Sequence, residues 1–447
     1  MALTLAVVPG KALAMSLSEA VRQAVATSPE MAEARAEREA IRGELDAARA
    51  LYRPTLDVEA FVGPNYVDRP NSLRATDNGE TRLSRQVGVT ASWTLFDGYF
   101  RANEMFRQAT RIEGAGYRVL EAGERVALDT IEAYVDVLRH RRVLAAADVN
   151  IAHHRMILGR AQNQYEGGAA TRGEVEIAGE RLASAEALRA EVLRALGEVE
   201  ASFVRLVGAE PQALGAAPLP RGLPGSLSAA LSAARAGHPT LFAATTDITA
   251  LEAETEQTTS GLFPTLSLQG RGVYGFDTDG TPGPSSQLSG NVVLNWRLYD
   301  GGLRQARRHE AEERRSAAEI RRERYVRDIE QAVRRAWSDM GSNDVRLAAL
   351  RRRLTQAERV VAAYEEEYEA GLRSLLDILD AQNARFNAEF EVASAEAIAV
   401  FARYQVIGAT GALLDQFAIA SERPEPGDAG ANLRLHRTGS LLEPLRR

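Results

Sequence analysis

No cysteine occurs among the 447 residues. That absence excludes disulfide staples, thiolate metal sites, a thiol nucleophile and a lipid-anchored N-terminal Cys. No apolar run approaches the roughly 20 residues that a membrane-spanning helix needs. There is no basic excess either. Against 54 Lys and Arg stand 61 Asp and Glu, a net charge of −7, which excludes the footprint of a nucleic-acid binder. Aromatic residues are scarce at 6%. Proline is missing from 71–210 and again from 285–423, the only places where very long helices can run. What is present is abundant Ala, Arg, Glu and Leu, a composition of long, exposed helices rather than of one thick core. The length points to several domains or an elongated chain.

The first residues stand apart. Ala2 to Val8 form a short apolar run, and Ala12-Leu13-Ala14 has the small-x-small form of a signal-peptidase site. Residues 1–14 are therefore expected to be a signal peptide, its basic leading region lying upstream of this start. Export to the periplasm, outer membrane or beyond follows.

The rest is a duplication. Ser16-Leu17-Ser18-Glu19-Ala20 recurs as Ser226-Leu227-Ser228-Ala229-Ala230, an offset of 210 that holds through Pro29/Pro239 to Pro54-Thr55-Leu56 and Pro264-Thr265-Leu266. Trp93-Thr94-Leu95-Phe96-Asp97-Gly98 then matches Trp296-Arg297-Leu298-Tyr299-Asp300-Gly301 at an offset of 203, which holds through Gly168/Gly371 to Gly208/Gly411. The lost residues place a loop between Leu266 and Trp296. The expected organisation is a first repeat over 15–210, a Pro- and Gly-rich linker over 211–225, a second repeat over 226–415, and a mobile tail over 416–447.

Each repeat carries two period-2 segments. Leu56, Val58, Ala60 and Val62 alternate with polar neighbours, as do Val87, Val89, Ala91, Trp93 and Leu95. The second repeat has Leu266, Leu268, Gly270, Gly272 and Tyr274, then Leu288, Gly290, Val292, Leu294, Trp296 and Leu298. Four amphipathic strands result, as hairpins over 55–96 and 265–299. Pro54 and Pro264 lead from helix into strand. Asp97-Gly98 and Asp300-Gly301 mark strand-to-helix junctions, where Gly permits a sharp turn.

Beyond each junction the period becomes helical. Val326, Val333, Met340, Leu347, Leu354, Val361 and Tyr368 repeat every seven residues, as do Val137, Leu144, Ile151, Leu158 and Tyr165. These are coiled-coil seams. A helix over 99–165 would be about 100 Å long. Turns bearing Gly168 and Gly371 reverse the chain, giving long helix pairs over 99–207 and 301–413.

Ten-residue amphipathic strands fit an outer membrane when tilted. Four cannot close a barrel, and an open edge cannot sit in lipid. Several copies must then share one barrel. A soluble sheet with a coiled coil would leave export unexplained.

The duplicated hairpin and helix pair, the Trp-x-Leu-aromatic-Asp-Gly junctions, and Tyr368-Glu-Ala-Gly371-Leu-Arg373-Ser-Leu-Leu-Asp377-Ile-Leu-Asp380-Ala resemble the TolC family of outer-membrane channel proteins over almost all of residues 16–415. The resemblance implies an α+β membrane protein. Its long coiled-coil helices would form a helical barrel, and its four strands per chain would join a shared trimeric 12-stranded outer-membrane barrel. It implies a homotrimer in outer-membrane lipid with a long periplasmic extension, docked to a periplasmic adaptor (membrane fusion) protein and an inner-membrane ABC or RND transporter. The run Asp129-Thr130-Ile131-Glu132-Ala133-Tyr134-Val135-Asp136-Val137-Leu138 and the missing anchor Cys look more like the branch serving type I protein secretion than the drug- or metal-efflux branch.

No nucleophile–base–acid set, no phosphate loop and no metal-ligand spacing is present. His153-His154 lack a partner at i+3 or i+4, so no enzyme activity, cofactor or metal is expected. Asp377 and Asp380 share one helix face, where like charges gain no stability. Read alone, they are an ordinary acidic helix start. Matched to the resembled family, Asp377 and Asp380 would form acidic rings at a periplasmic constriction. Arg373 and Tyr368 would tie it shut, with Glu174 as partner. A secreted coiled-coil adhesin or scaffold is the rival from another class.

Overall fold

The computed structural model describes residues 14–68, 79–278, 282–419 and 433–437. The segment read as a signal peptide lies outside them except for Ala14. The chain runs α1 (Leu17–Thr27), α2 (Pro29–Ala50), β1 (Thr55–Val67), β2 (Glu80–Phe96), α3 (Phe100–Glu166) and α4 (Arg172–Val207). It then repeats as α5 (Leu227–Gly237), α6 (Pro239–Thr259), β3 (Thr265–Phe276), β4 (Pro284–Asn295), α7 (Leu303–Glu369) and α8 (Leu375–Thr410), and ends in the short α9 (Leu413–Gln416). The two longest helices have 67 residues each and their partners 36 each, so the duplication holds in length as well as order.

Two units can be separated. One comprises 36–116, 243–323 and the C-terminal stretch. Its described residues form an antiparallel sheet in the order β1-β2-β3-β4. Thr55 faces Ser92 and Leu56 faces Ala91; in the second hairpin Thr265 faces Asn295 and Leu266 faces Leu294. These pairs correspond under the sequence repeat, so both hairpins have one register. Rows run straight across the sheet. Val58, Val89, Gly272 and Leu288 form one apolar row, and Asp57, Thr90, Arg271 and Ser289 form the polar row beside it. Leu56, Val58, Val62, Leu288 and Val292 stand more than 60% exposed, an apolar surface that none of the described residues covers. The hairpin connections span 68–79 and 277–283, which accounts for much of the lost length.

β4 stops at Asn295, short of the expected Trp296 and Leu298, whereas its counterpart β2 runs to Phe96. The reason is pairing. β2 is flanked on both sides, while β4 is an edge.

Part of the tail expected to be mobile is pinned in this unit. Asn103, fully buried, donates its amide to the His436 carbonyl at 3.1 Å and accepts the His436 N–H at 2.9 Å. The Tyr99 ring stacks on His436 at 4.9 Å. A buried amide left unpaired would be unfavourable, and this two-point bond satisfies it.

The other unit comprises residues up to Arg35, 117–242 and 324–423. Its main core gathers Leu17, Val21, Val126, Ile131, Tyr134, Phe203, Val207 and Leu413. Tyr134 is wholly buried and its hydroxyl reaches the carbonyls of Met15 and Gly215 at 2.8 and 2.7 Å. Seam residues Val137, Ile151, Val333 and Val361 are buried, while Met340, Leu347 and Leu354 are half-buried.

Candidate functional site

The turns joining the long helices are built from local sequence. Gly168 and Gly371 adopt φ of 76° and 74°, which stops α3 and α7 and is easy only for glycine. α4 and α8 then start on capping boxes. Thr171 accepts the Glu174 N–H, and Glu174 accepts the Thr171 N–H at 2.7 Å. Ser374 and Asp377 repeat the exchange at 3.3 and 3.2 Å. Each box satisfies amides that a helix start leaves open. The Asp377 carboxylate is held below its usual range chiefly by the Ser374 hydroxyl and N–H.

Behind the turns, four helix ends share one small apolar cluster. Ile157 and Ala161 come from α3, Ala178 from α4, and Leu375, Ile378 and Leu379 from α8; Tyr364 and Tyr368 of α7 pack against them. Of the residues expected at this turn, Tyr368 packs against the cluster. The Tyr368 hydroxyl donates to Gln164 Oε1 at 2.6 Å, tying α7 to α3. Asp380 lies 3.4 Å from the Arg181 guanidinium, linking α8 to α4. His154 is buried beneath this face, and burial followed by Arg181 pushes its pKa down, favouring the neutral ring. His153 lies on the same helix turn, and no metal-binding cluster exists among the described residues.

The Arg373–Glu174 tie is not made within the chain. Arg373 donates to Glu367 Oε2 at 2.8 Å and lies over the Tyr364 ring at 4.1 Å, while Glu174 is engaged in its own cap. The capping signal stands in the sequence as Thr171-x-x-Glu174 and Ser374-x-x-Asp377. Gln164, Glu367 and Arg181 carried no local signal, because their partners lie across a turn or on another helix.

The strand–helix junctions are a second constellation, made twice. Trp93 Nε1 donates to the Tyr52 carbonyl at 2.9 Å, and Trp296 Nε1 to the Leu262 carbonyl at 3.2 Å. Asp97 accepts from Arg101 Nε at 2.7 Å, and Asp300 from Arg304 Nε at 2.8 Å. The two arginines reach the carbonyls of Leu51 and Gly261. The recurring Arg four residues after each Asp was the overlooked signal. Gly98 and Gly301 have φ of 66° and 67°. A Cβ on Gly98 would meet the Ser260 carbonyl oxygen at 2.5 Å, whereas one on Gly301 would meet nothing within 4 Å. Pro54 and Pro264 immediately precede β1 and β3.

Comparison with known proteins gives a consistent result. The model of the outer membrane efflux protein family matches residues 20–209 and 230–412. The outer membrane efflux protein BepC of Brucella suis is 27% identical over 389 residues, 85% of this chain and 82% of that protein. The alkaline protease secretion protein AprF of Pseudomonas aeruginosa is 24% identical over 398 residues, 86% of this chain and 82% of that protein. A crystal structure of a Pseudomonas aeruginosa membrane protein superposes with a TM-score of 0.75 at 21% identity, covering 88% of this chain and 90% of that one.

Proposed function

The chain belongs to the outer membrane efflux protein family, a family of channels and not of enzymes, and on that premise we propose that three copies share one twelve-stranded barrel. The assembly is the outer-membrane exit duct of a tripartite machine, reached through a periplasmic adaptor from an inner-membrane ABC transporter. The observation that carries this reading is the open sheet. Among the described residues nothing covers its apolar rows, and β1 and β4 are each paired on one side only. In lipid each unpaired group costs several kcal/mol, so the edges must meet those of other copies.

The cargo is protein, by type I secretion. Support comes from the 129–138 run and from the likeness to a protein named for alkaline protease secretion. The second reading is a small-molecule efflux duct with an RND or ABC pump, favoured by the likeness to BepC. Deleting the gene in its host and comparing the secreted proteins with drug susceptibility separates them. Loss of a large exported protein with unchanged susceptibility supports secretion; the reverse supports efflux.

The turn cluster is the periplasmic gate. Asp377 and Asp380, repeated by three-fold symmetry, line its mouth as two acidic rings about one helical turn apart. Tyr368 with Gln164 and Asp380 with Arg181 hold the helix ends together, while Arg373 and Glu174 lie within reach of a neighbouring copy.

A further inference from the structure

We infer that β4 of one copy pairs with β1 of the next in a defined register, set by the chain's own duplication. Trp296 then lies opposite Val58, and Arg297 opposite Asp57, of the next copy. The inference rests on the shared-barrel reading and fixes how its edges join.

The duplication is structural, not only sequential. The β1–β2 and β3–β4 registers coincide residue for residue under the offsets of 210 and 203. So do the Trp93–Tyr52 and Trp296–Leu262 hydrogen bonds, and the Arg101–Leu51 and Arg304–Gly261 hydrogen bonds. One interface in the sheet has no counterpart within the chain. β2 pairs with β3, joining the first repeat to the second. Its equivalent would join β4 to a β1 that the chain cannot itself supply, because β1 and β4 are the outer strands of the order β1-β2-β3-β4.

Transferring the β2–β3 register to that edge makes definite pairs. Val89 opposite Gly272 becomes Val292 opposite Val62, and Ala91 opposite Gly270 becomes Leu294 opposite Ala60. Trp93 opposite Leu268 becomes Trp296 opposite Val58. Every one of these is apolar against apolar, on the face that carries the apolar rows. A slip by one residue would have set the apolar set of one strand against the polar set of the other. Thr94 opposite Ser267 becomes Arg297 opposite Asp57, on the polar face, so a neutral pair within the chain is replaced by opposite charges between copies. Past the bulge, Phe96 opposite Leu266 becomes Tyr299 opposite Leu56.

Three features of the single chain then share one cause. Trp296 and Leu298 are 55% and 72% exposed where their counterparts Trp93 and Leu95, on a strand paired on both sides, are each 43% exposed, and the difference falls to a partner strand in another copy. β4 ends at Asn295 rather than at Tyr299, the counterpart of Phe96, for the same reason. Gly301 keeps the positive φ of Gly98 although nothing crowds it, because the contact that Ser260 makes at Gly98 falls to Ala50 of the next copy at Gly301.

The absence of native cysteine makes the register directly measurable. Directly opposed residues lie about 4.5–5.5 Å apart at Cα, within disulfide reach, whereas diagonal ones are at about 7–8 Å. Val62→Cys with Val292→Cys, in one chain, is expected to give covalently linked trimers on mild oxidation. Ala60→Cys with Val292→Cys is expected to give few. Arg297→Asp and Asp57→Arg, each alone, should lower the yield of trimer, and the two together should restore it. The restored yield is a result that a mere folding defect would not give. Equal or absent cross-linking in both cysteine pairs, or no rescue by the charge exchange, overturns the register if native mass still shows trimers. Loss of trimers from the unsubstituted protein would instead overturn the shared barrel beneath it.

Discussion

The Tyr368 hydroxyl on α7 donates to Gln164 Oε1 on α3 at 2.6 Å, joining the final turns of the two longest helices. A neutral hydrogen bond of this kind contributes about 0.5–1.5 kcal/mol. Tyr368→Phe and Gln164→Leu should each raise single-channel conductance in planar bilayers with assembly intact, and the double variant should do little more than either. Additive effects would place the two residues in separate roles.

The acids at the turn are expected to separate into two behaviours. Asp377→Asn with Asp380→Asn should lower cation selectivity, read as reversal potential under a salt gradient. Asp377 also caps α8, so its single variant should loosen the first turn of that helix, as should Ser374→Ala at about 1 kcal/mol. The Asp377 pKa is lowered in the folded chain. Its contribution is therefore present above the unfolded value of 3.8 and lost as pH falls through the folded one. Amide exchange at Ser374 and Asp377 across that range checks it; protection independent of pH would remove the carboxylate from the cap.

At the strand–helix junctions, Gly98→Ala should harm folding strongly. It combines a positive φ, worth about 1–2 kcal/mol against an L side chain, with a contact at 2.5 Å from the Ser260 carbonyl. Gly301→Ala should leave the single chain's folding affected only by the φ strain and act mainly on trimer yield. Equal folding defects in both would contradict the difference in their surroundings.

His238 ends α5 and packs beside Gly411. Burial lowers its pKa from 6.5 to about 4. The unfolded chain takes up a proton below pH 6.5 while the folded chain resists until about 4, so stability falls across that interval and levels off beneath it. At about 1.4 kcal/mol per unit the loss is roughly 3 kcal/mol. His238→Gln should flatten the thermal-melting profile over this range, and an unchanged profile would assign the acid sensitivity elsewhere.

The architecture was largely legible because its signals are periodic. Proline-free stretches bounded the 67-residue helices, and alternation in Leu56–Val62 and Val87–Trp93 gave strands with one apolar face. Local motifs carried a signal too, though the sequence reading takes Ser374-x-x-Asp377 only as an acidic helix start and not as a cap. What could not be read were long-range choices of partner. The family resemblance matches Arg373 to Glu174, and only the folded turn shows that Glu367 takes it instead within the chain. Nothing in the tail's composition marked His436 as the segment that Asn103 would hold. The end of β4 depends on which strand flanks it, which sequence alternation does not record.

The mass of the detergent-extracted protein tests the central claim most directly. Four strands with two open edges cannot satisfy themselves in lipid, so the account requires a particle of three chains, measured by native mass spectrometry or by light scattering corrected for detergent. A stable, membrane-extracted monomer with its strands intact would contradict it.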